Sequence, residues 1–389
     1  RVDGLAVFVP RTAPGDVAEV RVRLQGRLGR GEVVRFIDRA PGRVEPRCRH
    51  YDGDRCGGCQ LQHLDYAAQL DAKRRIVRDA FARIARRTVD VPEVLASPSA
   101  WGYRSRLTLA MRRPDGKWVF GLHGHNDAGR VFDLRECPIT DDRVLDAWSE
   151  VRRAAAHLPG ERELRGSVRL AGDDLAFVLE GGAAWPGARA FAAQCASFRV
   201  IRWIPSNGAA RLMVDRRTTA APAAAFDQVN KPVASMARAD LLERVLASNP
   251  QKVIDAYAGM GATARALADR GVAVTAIEVD AEAASYAAGR LPAGSTVIAA
   301  LVEDALPGAL PADVVVLNPP RAGVHARVTE ALLAAPRAAR LLYMSCDPAT
   351  LARDVARLSA YRVTWLRAYD MFPQTAHVET ICELTAEGR

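Results

Sequence analysis

Short apolar runs punctuated by turn residues organise the chain, and their spacing divides it into three stretches. In residues 1–45 the runs at 5–9, 17–24 and 31–37 are separated by turn signals such as Pro14-Gly15, and Val20-Arg21-Val22-Arg23-Leu24 alternates apolar with basic positions. Period-two alternation predicts half-buried strands, here with a basic outer face, and the succession of short strands fits a small OB-like β-barrel. Residues 46–220 open with a compact cysteine loop at 48–64 and a basic helix from Tyr66 to about Arg87. Beyond it the pattern is strand-rich, at 104–112, 118–121 and 175–179, with one helix at 142–158, which predicts a central α+β domain. In residues 221–389 short apolar strands at 253–256, 273–277, 314–317 and 341–344 are each followed by a turn and a helical stretch. That alternation predicts a doubly wound α/β domain with a mostly parallel sheet.

Composition narrows the class. With 389 residues, 49% hydrophobic and 25% charged, the chain has the make-up of two or three globular domains. It holds no run of about 18 apolar residues, and its opening Arg1-Val2-Asp3 lacks the apolar stretch of a signal peptide. The expectation is therefore a cytoplasmic protein, a monomer with no membrane partner, whose start at Arg1 rather than Met reads as trimmed. The net charge is +9, and residues 1–115 carry 23 Lys+Arg against 14 Asp+Glu while the remainder carries 31 of each. All of the positive excess thus sits in the first third, as expected of a nucleic-acid-binding front end on a neutral body.

Two strand ends in the last stretch carry candidate chemistry. Asp255-Ala256-Tyr257-Ala258-Gly259-Met260-Gly261 follows the first strand and opens a helix, and Glu278 ends the next strand. Glycines there permit a tight turn close to a ligand, and an acidic residue just over twenty positions on can hold two ribose hydroxyls. Further on, Asn318-Pro319-Pro320-Arg321 lies at the carboxyl end of a strand, where open α/β sheets bind ligands. Tyr343-Met344-Ser345-Cys346-Asp347-Pro348 ends another strand at a cysteine, with Asp347 and Pro348 as cap and first-turn residues of the next helix. A thiolate is favoured beside a helix N-terminus, which makes Cys346 a candidate nucleophile. Near the end, His377-Val378-Glu379-Thr380 leads into an apolar strand, and a carboxylate in such a setting is suited to taking a proton.

The seven cysteines, in a chain without an export signal, point to metal, catalysis or burial rather than disulfides. Cys48-x7-Cys56-x2-Cys59 with the remote Cys137 supplies four thiolates, enough for a tetrahedral zinc or a cubane iron–sulfur cluster. Spacing does not separate the two, although three clustered cysteines and a remote one before Pro138 suit the cubane better. Cys195 and Cys382 lie in apolar surroundings and read as packing residues.

Together these motifs resemble, in order and spacing, the RNA uracil-5 methyltransferase family, over essentially the whole chain. Asp255 to Gly261 resembles motif I of S-adenosylmethionine-dependent methyltransferases, which implies cofactor contacts at Asp255, Tyr257, Gly259 and Gly261. Glu278 then stands as motif II and Asp304 as an adenine-side contact. Phe226-Asp227-Gln228-Val229-Asn230 matches the family's segment with a substrate- and cofactor-facing Gln, here Gln228, and Asn318 joins this set. The first strands, with Val7-Phe8-Val9-Pro10 and Pro14-Gly15-Asp16, look like the family's TRAM domain. The resemblance implies Cys346 as nucleophile, Glu379 as base with His377 as its competitor, and methylation of uridine in RNA. It also implies a [4Fe–4S] cluster on Cys48, Cys56, Cys59 and Cys137, a mark of the family's ribosomal RNA branch that its transfer RNA branch generally lacks. One residue departs from the pattern, since the family usually has Asp where this chain has Asn318. An Asn side chain can still accept from uracil N3–H while donating to O4. Asn-Pro-Pro also opens the motif of exocyclic-amine methyltransferases, but those carry an aromatic next and need no cysteine. Transfer RNA as substrate and a non-catalytic RNA-binding factor stand as the alternatives.

Overall fold

A computed structural model describes residues 4–387 apart from 126, 218–227 and 335. Val314–Leu317 is apolar at all four positions, the pattern of a strand covered on both faces, and it lies at the centre of a seven-stranded sheet. Thr296–Ala299, Ala273–Glu278, Lys252–Ala256, Val314–Leu317 and Arg340–Ser345 run parallel in that spatial order. Glu379–Ala386 pairs antiparallel beside Arg340–Ser345, and Tyr361–Tyr369 forms the edge. Strand order reverses between Lys252–Ala256 and Val314–Leu317, so a crevice opens at their carboxyl ends. Alternate strand residues point to opposite faces: Ile254, Val315 and Tyr343 meet Leu306, Val328 and Leu351 on one side, while Val253, Val316 and Leu342 meet Val233, Leu241 and Leu267 on the other.

The helix Tyr66–Ala80 starts where the Asp65 carboxylate accepts from the Ala68 N–H at 2.8 Å. It ends in a π turn, Phe81–Ala85, closed by Arg86 in the left-handed region. Val77, Phe81, Val91 and Val94 are buried with Val315 and Tyr343. This part of the 46–220 stretch therefore packs with the C-terminal sheet, which splits the continuous central unit expected from the sequence. The expected boundary at 220 lies outside the described residues.

The central sheet has seven strands, ordered Arg211–Asp215, Phe198–Ile204, Asp174–Glu180, Glu163–Ala171, Arg106–Arg112, Val119–Gly124, Asp127–Asp133. Trp148 from the helix Asp142–Arg153 and Phe191 from Ala188–Gln194 pack edge-on and stacked against Phe177 on one face. In the first 45 residues the expected OB-like barrel is, among the described residues, a three-stranded sheet. Leu28–Asp38 lies between Ala6–Phe8 and Val17–Gln25. Phe8, Leu24 and Ile37 stay exposed on it beside Arg21, Arg23 and Arg30. Among the described residues no helix is long and apolar enough to cross a membrane.

Candidate active site

The turn after Lys252–Ala256 is sharply folded, with Tyr257, Gly259 and Gly261 all in the left-handed region at φ 63°, 56° and 74°. It carries the Gly259 N–H to Glu278 Oε2 at 2.7 Å, while Glu278 Oε1 accepts from Asp280 N–H at 2.8 Å. Glu278 is thereby fixed at the rim of the crevice. A Cβ on Gly261 would stand 2.9 Å from the Ala287 Cβ, so glycine here lets the helix Ala262–Ala268 lie against Ala281–Ala288. The buried Asp255 accepts from the Ala264 N–H at 3.0 Å, and burial pushes its carboxyl up to about 7.

A cavity of about 1340 Å³ occupies the crevice, and Asp255, Tyr257, Gly259, Glu278 and Asn318 line it. Gln228 lines it too, brought there because the Val229 carbonyl accepts from both the N–H and the hydroxyl of Ser105. Phe226 and Asp227 of that motif lie outside the described residues. Asp304 does not reach the cavity. The helix Val302–Ala309 turns Val302, Leu306 and Ala309 to the core, which leaves Asp304 exposed and paired with Arg327 at 2.8 Å. Glu303, one position earlier and therefore about 100° around the helix, is the acidic side chain that lines it.

The same cavity is lined by the candidate chemical groups Cys346, Glu379, His377 and Arg321. Ser345 is paired with Thr380 across antiparallel strands, so Cys346, which follows Ser345, and Glu379, which precedes Thr380, both lie at the end of that ladder. The helix Pro348–Arg357 then begins, with Asp347 Oδ1 accepting from Ala349 and Thr350 N–H. Despite that helix start, the Cys346 thiol is raised, first by burial and then by Glu379; a hydrogen bond and the charge of Arg321 oppose the rise. Glu379 is fully buried, its Oε2 has no hydrogen-bond partner among the described residues, and burial pushes its carboxyl up to about 8, with Arg321 working against it. Burial and the charges of Arg321 and Lys73 lower His377, whose ring meets Phe372 edge-on. Arg321 thus acts by its charge on both thiol and carboxylate. The sequence reading passed it over, although an arginine directly after a strand-end Pro-Pro was the available signal.

Cys48, Cys56, Cys59 and Cys137 are all buried and all line the other end of the same cavity. Burial raises each thiol, Cys48 to about 11 and Cys59 to about 12, and the charge of Cys137 is felt at each of the other three. All seven cysteines are free thiols. Among the described residues no three His, Cys, Asp or Glu side chains are gathered tightly enough to hold one metal ion.

The crevice at the strand-order reversal, the glycine turn and the acidic residue ending the next strand are the features of a fold that binds a nucleoside-bearing cofactor. The tRNA (uracil-5-)-methyltransferase family profile matches residues 308–387. An uncharacterised RNA methyltransferase of Thermosynechococcus vestitus is 31% identical, across 97% of this chain and 93% of its own. The 23S rRNA (uracil(1939)-C(5))-methyltransferase RlmD of Azoarcus sp. is 29% identical, across 98% and 95%. The crystal structure of the tRNA (uracil-54, C5)-methyltransferase of Pyrococcus abyssi with S-adenosyl-L-homocysteine shares the fold, with a TM-score of 0.70 and 24% identity over 98% and 95% of the two chains. The chain belongs to the RNA (uracil-5-)-methyltransferase family.

Proposed function

We propose that the chain methylates carbon 5 of one uridine in 23S ribosomal RNA, in the cytoplasm, through a covalent adduct between Cys346 and carbon 6 of the base. The observation that carries this reading is the meeting of a strand-end thiol, a buried carboxylate and an intervening arginine on the cavity that also holds the glycine turn. Carbon 5 of uracil is a weak nucleophile. Addition of the Cys346 thiolate forms a carbon–sulfur bond at carbon 6 and moves an electron pair towards carbon 5. Asp255, Tyr257, Gly259, Glu278 and Gln228 would hold S-adenosylmethionine, which would supply the methyl group: the carbon 5 electron pair takes it as the sulfonium–methyl bond breaks and S-adenosylhomocysteine leaves. Glu379 then removes the carbon 5 proton, the 5,6 double bond re-forms and the thiolate leaves. Arg321 steadies the thiolate, and Asn318 accepts from N3–H while donating to O4. The base must leave its stack to reach this cavity, so the target is a uridine in a folded loop. The arginine-rich front end grips phosphates.

The 23S rRNA assignment rests on the RlmD relative and on the four cysteines. To test it, 5-methyluridine is mapped in ribosomal and transfer RNA from a deletion strain. Loss of one site in 23S rRNA, restored by the gene, is expected. Loss confined to transfer RNA moves the substrate, and no loss in either overturns the reading.

Cys48, Cys56, Cys59 and Cys137 would hold a [4Fe–4S] cluster, which staples the cysteine loop to the segment around Cys137. Anaerobically purified protein is expected to be brown with about four irons per chain, and Cys56→Ser is expected to lose the colour. Stoichiometric zinc in that preparation would sink the assignment.

A further inference from the structure

Residues 372–377, which lead into the strand bearing Glu379, are held by groups from the first third of the chain. Lys73, buried in an ion pair with Asp370, donates to the Phe372 carbonyl at 2.9 Å. The Tyr103 hydroxyl donates to the Pro373 carbonyl at 2.9 Å. Gln374 is the centre of this arrangement. It is 3% exposed and sits at φ 70°, a left-handed conformation uncommon for a residue with a side chain. Its N–H donates to Gln69 Oε1 and its side-chain oxygen accepts from Gln69 Nε2, both at 3.0 Å. Its carbonyl accepts from the N–H groups of Gln60 and Leu61 at 3.1 and 3.0 Å. Gln60 directly follows Cys59, and its side-chain oxygen accepts from the Ala376 N–H at 3.2 Å. One residue on, the His377 N–H donates to Thr375 Oγ1 at 3.2 Å.

A buried left-handed residue persists only where its surroundings over-determine it, and here the surroundings belong to two separate elements, the cysteine loop and the helix Tyr66–Ala80. We propose that Gln374 is a positioning residue, the joint through which the cysteine loop fixes where His377 and Glu379 sit. Any movement of Gln60 and Leu61 displaces the Gln374 carbonyl and the Ala376 N–H together, and with them the start of the strand Glu379–Ala386. Gln374 is not among the residues that line the cavity, so the effect of replacing it falls on geometry. This inference rests on the reading of Glu379 as base.

The test uses full-length Gln374→Asn, since Asn tolerates the left-handed backbone but is one methylene too short to reach Gln69. A misplacement of about 1 Å can cost 10²-fold in rate. Turnover is therefore expected to fall about tenfold to a hundredfold, with RNA affinity and trapping on 5-fluorouridine RNA near wild type. A denaturation-resistant complex is also expected to build up on ordinary uridine, because proton removal becomes the slow step. Gln60→Ala, on the exposed side of the joint, is expected to give the same build-up more weakly. Wild-type turnover of Gln374→Asn, or trapping that falls in parallel with turnover, overturns the joint. So does absence of build-up in Gln60→Ala, even if Gln374→Asn fails to fold. Glu379→Gln is the reference: if it traps RNA and the two glutamine variants do not, the joint alone fails. If none of the three traps RNA, the assignment of the base fails with it.

Discussion

Cys346→Ala is expected to abolish methylation, with a loss of at least about 10⁴-fold, because removing the nucleophile of a covalent route leaves only binding and orientation. The sharper measurement is trapping. With RNA carrying 5-fluorouridine, addition and methyl transfer proceed, but carbon 5 then holds fluorine where the proton should leave, and the thiol stays bonded to carbon 6. Wild-type protein with S-adenosylmethionine should yield a protein–RNA species that survives denaturation, and Cys346→Ala should yield none. The site makes a further demand on this thiol. Burial and Glu379 raise it while Arg321 opposes them, so removing the guanidinium in Arg321→Ala should slow trapping and shift its pH dependence upwards. Full activity of Cys346→Ala, or wild-type protein that methylates ordinary RNA yet never traps the fluorinated one, removes Cys346 from the nucleophile's role.

Much of this arrangement was legible in the sequence where local pattern governs. The mostly apolar runs at 253–256, 273–277, 314–317 and 341–344 coincide with parallel strands because strands covered on both faces are nearly continuously apolar, Asp255 and Thr275 being the polar exceptions. Strand-end residues then fall at the crevice by topology alone, which is why Asp255, Glu278, Asn318 and Cys346 share one cavity. What local pattern cannot carry is register and long-range docking. That Cys346 and Glu379 reach the same cavity depends on an antiparallel strand from the far end of the chain, which pairs Thr380 with Ser345. The helix Tyr66–Ala80 has a basic face that reads as an RNA contact, yet it buries Lys73 against Asp370, 297 positions away. Asp304, which the resemblance implied, and Glu303, which lines the cavity, differ by a single helical step, which periodicity over eight residues does not resolve. The helix start beside Cys346 was visible in the sequence, whereas the burial and the Glu379 charge that raise its thiol were not.

Glu379→Gln is expected to turn over about 10²–10⁴-fold more slowly, the usual contribution of a general base. It is also expected to accumulate a denaturation-resistant complex on ordinary uridine. Addition and methyl transfer both precede proton removal, so they require Cys346 and the methyl donor but not the carboxylate, and the methylated adduct has no exit. The double change with Cys346→Ala should give no complex. The pH dependence separates the two groups. Burial pushes Glu379 up to about 8, and a base must be deprotonated, so wild-type turnover should rise with pH through about 8 and fall away on the acid side. Adduct formation needs only the thiolate. Because Glu379 is one cause of the raised Cys346 thiol, neutralising it should let trapping in Glu379→Gln begin at lower pH than in wild type. His377, on the same cavity and lowered towards its neutral form, is the other group able to accept the proton. If Glu379→Gln turns over normally while His377→Ala accumulates the complex, the base is the imidazole, and the buried carboxylate serves only to hold Arg321 beside the thiol.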